Sequence, residues 1–262
     1  MSKPDMLYIQ SQLYGKPWLL EPGTLGTIHE MVKARVSGQS ASRYEDDGCG
    51  DAVEVDGMEL TDDGVAQIPI AGVIVGGRRL PIRGTVHSGQ VISEILEAEE
   101  NPAVRRIEFL IDSPGGMVTG TPELADAIFN VSKPTAAIVQ GQASSAGYWI
   151  ASAADTIIAT RSASVGSIGV FMAIADVTKL YENLGVKMEI IKSGDLKAAG
   201  IPGTSLSDDQ RENLQKSVDK THAEFISHVR TMRGQDVPDE AFRGQSFHAD
   251  EALKLGLIDF IV

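Results

Sequence analysis

Cysteine is nearly missing: Cys49 is the one thiol in 262 residues. A single cysteine excludes an intrachain disulfide, a disulfide framework and a thiolate metal cluster, and it reads as an incidental loop thiol. Basic residues are scarce as well. Lys and Arg number 23 against 36 Asp and Glu, for a net charge of −13. That balance argues against binding nucleic acid or an anionic membrane, both of which need clustered Lys and Arg. Histidine is missing from the whole stretch between His87 and His222. Uncharged runs are few. The long one, residues 134–154, holds Gln140, Gln142, Ser144, Ser145, Ser152, Gly141 and Gly147. Such groups are costly in lipid, so no membrane span is expected there. The first residues lack the basic-then-apolar pattern of a signal peptide, which predicts a cytoplasmic protein.

What is present suffices for one sizeable core, at 42% apolar residues. Three regions differ in character. Residues 1–37 show a helical pattern around Leu25, Ile28, Met31 and Val32 and predict a small N-terminal helical segment. Residues 38–64 hold nine acidic side chains, one basic side chain and five glycines, and read as an acidic, Gly-rich linker or loop. Residues 65–262 alternate strand and helix patterns. Strands are predicted over 65–75, 106–111, 135–139, 156–160 and 186–191. Helices are predicted over 88–100, from Pro122 with Thr121 as its cap, over 145–153, and from the capping box Ser207-Asp208-Asp209-Gln210 onward. Repeated β-α units predict an α/β domain with a largely parallel sheet.

In such domains chemistry sits where strands end and helices begin. Asp112-Ser113-Pro114-Gly115-Gly116 follows a predicted strand. Its glycines let a backbone approach a ligand, or simply make a tight turn. Gly141-Gln142-Ala143-Ser144-Ser145-Ala146-Gly147 carries a strand into a helix through small residues and resembles a nucleophile elbow. On this feature alone, either serine there reads first as a helix cap. A serine nucleophile needs a base, and no histidine lies among the core turns, with His87 the one loop candidate. Lys192-Ser193-Gly194-Asp195-Leu196-Lys197-Ala198-Ala199-Gly200 offers a lysine among small and apolar neighbours. Buried there, Lys197 would lose its proton more readily and could serve as the base; otherwise it is a solvated surface charge.

Taken in order, Ser-Pro-Gly-Gly, Ser-Ala-Gly-Tyr-Trp-Ile, Gly166-Ser167-Ile168-Gly169-Val170 and Lys-Ser-Gly-x-x-Lys resemble the signal peptide peptidase family of Ser–Lys proteases, peptidase family S49. The ending, Gly244-Gln245-Ser246-Phe247 and Ala252-Leu253-Lys254-Leu255-Gly256-Leu257-Ile258-Asp259, is similar to the same family. The resemblance spans residues 65–262 and implies a Clp-protease/crotonase-like α/β superhelix. It implies Ser145 as nucleophile, Lys197 as general base, Ser167 as the residue orienting the lysine, and the N–H groups of Gly116 and Ala146 as an oxyanion hole. Ala146 stands where many members have glycine, but the hole needs only a main-chain N–H.

No metal or organic cofactor is implied. With Lys16-Pro17-Trp18-Leu19-Leu20 near its start, the chain looks most like the head-maturation proteases of tailed phages and prophages. That likeness implies scaffold or capsid polypeptides as substrates, with any scaffold on a separate chain, a homo-oligomer, and a place in the host cytoplasm or the prohead. Alternatives are a soluble bacterial peptidase of the same family, a crotonase-like acyl-CoA enzyme on the same fold, and a catalytically idle assembly protein.

Overall fold

The computed structural model describes residues 16–20, 24, 57–76 and 84–262. Strands β1 (Trp18–Leu20) and β2 (Glu59–Leu60) lead into β3 (Val65–Ala71) and β4 (Val73–Val75). The main sheet is built on β3, β6 (Arg106–Ser113) and β8 (Thr135–Ser144), all parallel. β6 reads Arg-Ile-Glu-Phe-Leu-Ile-Asp-Ser, and its alternate residues Ile107, Phe109 and Ile111 are fully buried. Each such side chain stabilises the fold by roughly 1.5–3 kcal/mol relative to exposure.

Helices cover this sheet. α1 (Ser88–Glu100) buries Val91, Ile95 and Ala98, and α2 (Thr121–Phe129) buries Leu124, Ala125 and Ile128, at helical spacing. α3 (Ala146–Ala151) is buried on every side. α5 (Asp208–Arg233) opens on the expected capping box, with Ser207 accepting from the Gln210 N–H and the Gln210 side chain accepting from the Ser207 N–H. α6 (Ala249–Lys254) follows near the C-terminus.

The far half of the sheet forks. β8 pairs parallel with β9 (Thr156–Ala159) along its first half and with β10 (Ser164–Gly166) along its last three residues. β11 (Ser246–His248) closes that edge antiparallel to β10. β12 (Phe260–Ile261) adds parallel to β9, and the Val262 N–H donates to the Ala159 carbonyl at 3.0 Å. A second, four-stranded sheet runs in the order β1, β7 (Gly115–Met117), β4, β5 (Thr85–His87). The α/β class with repeated β-α units is thus the observed one.

Several expectations are corrected. The Pro122 helix is capped by Gly120 at φ 90°, not by Thr121, whose hydroxyl instead donates to the Met117 carbonyl from inside the first turn. Residues 186–191 form no strand. Val186, Met188 and Ile191 are exposed, and a strand forms only against a partner, which this arm lacks among the described residues. It follows α4 (Thr178–Asn183), a short helix with no buried residue. Within the segment read as helical, Trp18–Leu20 is a strand, while Leu25, Ile28, Met31 and Val32 lie outside the described residues. Most of the acidic segment, 38–56, also lies outside them. Its end does not read as linker, since β2 pairs antiparallel with β3.

Candidate active site

Three parallel strands end together. In the β8–β10 register Ser144 lies opposite Gly166, so the next residues, Ser145 and Ser167, leave the sheet side by side. In the β6–β8 register Ser113 lies opposite Ala143, which brings the Ser113-Pro114-Gly115-Gly116 turn to the same edge. A register shift between Ile111 and Ser113 lets this turn swing across the strand ends.

Ser145 is the N-cap residue of α3, with φ 54° and ψ −116°. A non-glycine residue at positive φ is strained, and a sharp strand-to-helix turn of this kind is how a nucleophile elbow lifts its hydroxyl clear of the sheet. The backbone holds it there: the Ser145 N–H donates to the Gly166 carbonyl at 2.8 Å, and the Trp149 N–H to the Ser145 carbonyl at 2.9 Å. The Ser145 side chain caps nothing. Its Oγ faces the Gly169 carbonyl at 3.4 Å, a long contact. Ser144 by contrast is the last residue of β8 and has no such twist. Ser167 repeats the positive φ, at 52°, with its N–H donating to the Gln245 carbonyl. Both serines are buried.

The glycine turn packs directly on this elbow. A Cβ on Gly115, where φ is 102°, would lie 2.9 Å from the Ser144 carbonyl oxygen and 3.1 Å from the Ala146 nitrogen. Only glycine fits, and the N–H groups expected for the oxyanion hole, Gly116 and Ala146, stand at this junction. Ala146 is the first helical residue, so its N–H has no intrahelical acceptor. Two polar residues of the quoted motif, to which the sequence assigned no role, set the turn. The Ser113 hydroxyl donates to the Gly72 carbonyl at 2.7 Å and accepts from the Gly115 N–H at 3.2 Å. Asp112 accepts from the Gln142 N–H at 3.1 Å, and its carboxylate lies against Gly141.

Lys197 stands apart. It lies in the turn-rich 192–200 loop, where its N–H donates to the Gly194 carbonyl at 3.1 Å and its carbonyl accepts from Gln210 Nε2 at 3.3 Å. Its side chain is exposed. The burial expected beside Ala198, Ala199 and Ile201 is therefore not found in the single chain: those neighbours are themselves half-exposed, because the arm carrying them leans on little else. The structure brings Ser145, Ser167, Gly116 and Ala146 together and leaves Lys197 in solvent. His87, the alternative base, closes β5 opposite Val75.

A serine held at positive φ at the carboxyl end of a parallel strand, backed by a buried helix and flanked by a glycine turn, has the geometry of a nucleophile elbow on an α/β sheet. The family model for peptidase family S49 matches residues 127–262. The capsid assembly protease C of Escherichia phage lambda is 33% identical over 98% of this chain and 63% of its own length. A putative signal peptide peptidase SppA of Enterococcus faecium is 28% identical over 75% of this chain and 59% of its own. The chain belongs to peptidase family S49. It spans less than two thirds of the length of either relative. Among solved structures, a member of the enoyl-CoA hydratase/isomerase family aligns with a TM-score of 0.46 and 19% identity over 78% of this chain and 69% of that one. No helix among the described residues is long and apolar enough to cross a membrane.

Proposed function

We propose that this chain is a serine endopeptidase working through a Ser145–Lys197 dyad, and that it processes scaffold or capsid polypeptides during assembly of a phage head. The observation that carries the catalytic part is the backbone of Ser145, held at positive φ beside Gly115–Gly116. Ser145 Oγ attacks the scissile carbonyl, and the oxygen that becomes negative is met by the N–H groups of Gly116 and Ala146. Lys197 takes the serine proton and returns it to the departing amine. The acyl-enzyme formed on Ser145 is then released by water. Ser167, beside Ser145, offers the hydroxyl that orients the lysine amine.

A general base works within hydrogen-bond reach of the hydroxyl it deprotonates, and the single chain leaves the Lys197 side chain exposed in its loop. The dyad therefore requires cover for Lys197 beyond the single chain. A second copy seated on the exposed 184–197 arm provides it, which joins the mechanism to a homo-oligomer. Likeness to a capsid assembly protease along 98% of the chain supports the polypeptide class of substrate.

The test is co-expression with candidate phage capsid and scaffold proteins, wild type against Ser145→Ala. Discrete fragments of those proteins are expected in the wild type and none in the variant. Identical fragment patterns would sink the reading.

A further inference from the structure

Resting on that peptidase reading, we propose that the N-terminal strand β1 sits in the peptide cleft as an internal pseudo-substrate, which an incoming polypeptide must displace. β1 is flanked on both sides by the segments that flank Ser145. On one side it pairs antiparallel with β7, with Trp18 opposite Met117, Leu19 opposite Gly116 and Leu20 opposite Gly115. On the other, Trp18 exchanges both main-chain hydrogen bonds with Phe171, at 2.8 and 3.1 Å. Phe171 lies two residues beyond Gly169, whose carbonyl Ser145 Oγ faces.

Successive strand residues turn their amides to opposite sides. Since Trp18 faces Phe171, the N–H and C=O of Leu19 face Gly116, the expected oxyanion donor. The Gly115 Cα marks the place from a second direction. A Cβ added there would run into the Leu19 carbonyl oxygen and would stand 3.1 Å from the Ala146 nitrogen. The Leu19 carbonyl thus lies beside the groups that would receive a scissile carbonyl.

The side chains behave as a bound peptide's would. Leu19 is fully buried and joins the main core, while Trp18 and Leu20 pack on Met117, Val73, Val75 and Phe171. A cavity of about 130 Å³ opens at the start of the strand, lined by Lys16, Pro17, Trp18, Met117, Val118 and Thr119. A ligand held by main-chain pairing on both sides and one apolar socket is an extended polypeptide. Three residues pair weakly compared with a full strand, so a longer peptide can replace them.

The test uses the full chain in two forms. In Ser145→Ala, hydrogen exchange at residues 18–20 is followed with and without saturating acetyl-Lys-Pro-Trp-Leu-Leu-Glu-amide. Exchange there is expected to rise about tenfold while β6 stays protected; unchanged exchange overturns the proposal. With Ser145 intact, Leu19→Asp sets a carboxylate in the apolar socket and expels the strand. About tenfold faster labelling of Ser145 by a fluorophosphonate is expected, because an occupied cleft lowers apparent affinity by its free fraction. Slower labelling together with a lower Tm would make β1 an ordinary core strand and overturns the proposal. No labelling of either chain, with peptide-induced exchange still seen, upholds the cleft and removes the serine-hydrolase reading instead.

Discussion

Ser144 and Ser145 are chemically identical neighbours, and only the backbone tells them apart. Ser144 ends a ladder, whereas Ser145 sits at φ 54° with α3 behind it. Ser145→Ala is expected to lower peptide cleavage by about four orders of magnitude or more with the Tm unchanged, as loss of a covalent nucleophile does. Ser144→Ala should cost little in rate. Measuring kcat/KM and Tm for both variants checks the assignment, and a reversal of the two effects would move the nucleophile by one residue. Lys197→Arg keeps the positive charge but installs a guanidinium that cannot give up its proton. That variant is expected to be nearly inactive on the same peptide substrate, and substantial residual turnover would exclude Lys197 as base. The same logic of fixed backbone applies at Gly115. Alanine there has to adopt a left-handed conformation, at a cost of roughly 1–2 kcal/mol, and its methyl meets the Leu19 carbonyl. Gly115→Ala should therefore lower both the denaturation midpoint and the cleavage rate.

Among the elements, α3 meets α5 through an aromatic contact. Trp149 stacks on Phe225 with ring centroids 4.5 Å apart and 15° between planes, and His228 lies 5.6 Å from the same indole. Burial pushes the His228 pKa below its ordinary 6.5, against smaller opposing effects from the Trp149 backbone and the Asp126 carboxylate. His228 Nε2 is buried with no hydrogen-bond partner. The folded protein therefore resists a proton that the unfolded chain accepts. The stability that depends on this is intact above about pH 6.5 and is lost as pH falls below it. Tm measured from about pH 7.5 down to about pH 5 is expected to decline less steeply in His228→Phe than in the wild type. Equal slopes would show that His228 carries none of the acid sensitivity. Tyr148, on α3 itself, is anchored to the C-terminal segment by donating to the Leu257 carbonyl at 2.8 Å, and burial raises its pKa far above the usual phenol value. It stays protonated across the working range and acts as a tether.

At the scale of the whole molecule the asymmetry is between a dense sheet and a bare arm. The β3–β6–β8 region is buried and alternates as a sheet should. The arm after α4 leaves Leu184 68%, Val186 45%, Ile191 97% and Leu196 45% exposed, close in sequence to Lys197. We propose these exposed apolar side chains as the place where a second copy docks. A self-association covering it would also remove water from Lys197. Ile191→Glu is expected to shift the protein to a monomer in light scattering and to lower peptide turnover in proportion. A wild-type monomer with full activity would refute the coupling.

The α/β class and the central strands were legible in the chain because they rest on local signals such as the alternation in β6 and the Ser207–Gln210 capping box. Periodicity could not place residues 186–191. Their apolar pattern suits a strand, but a strand exists only through a partner. Nor could it read Trp18-Leu19-Leu20, which lies among residues patterned as a helix and becomes a strand because β7 and Phe171 stand ready to pair with it. Ser145 as nucleophile came from the family resemblance; what only the parallel register shows is that Ser145 stands beside Ser167 across twenty-two residues of chain. The exposure of Lys197 depended on what its loop packs against. Composition and spacing determine which groups a chain owns; whether Lys197 is exposed and whether Trp18–Leu20 pairs as a strand depend on surfaces far apart in sequence, which only the tertiary fold brings together.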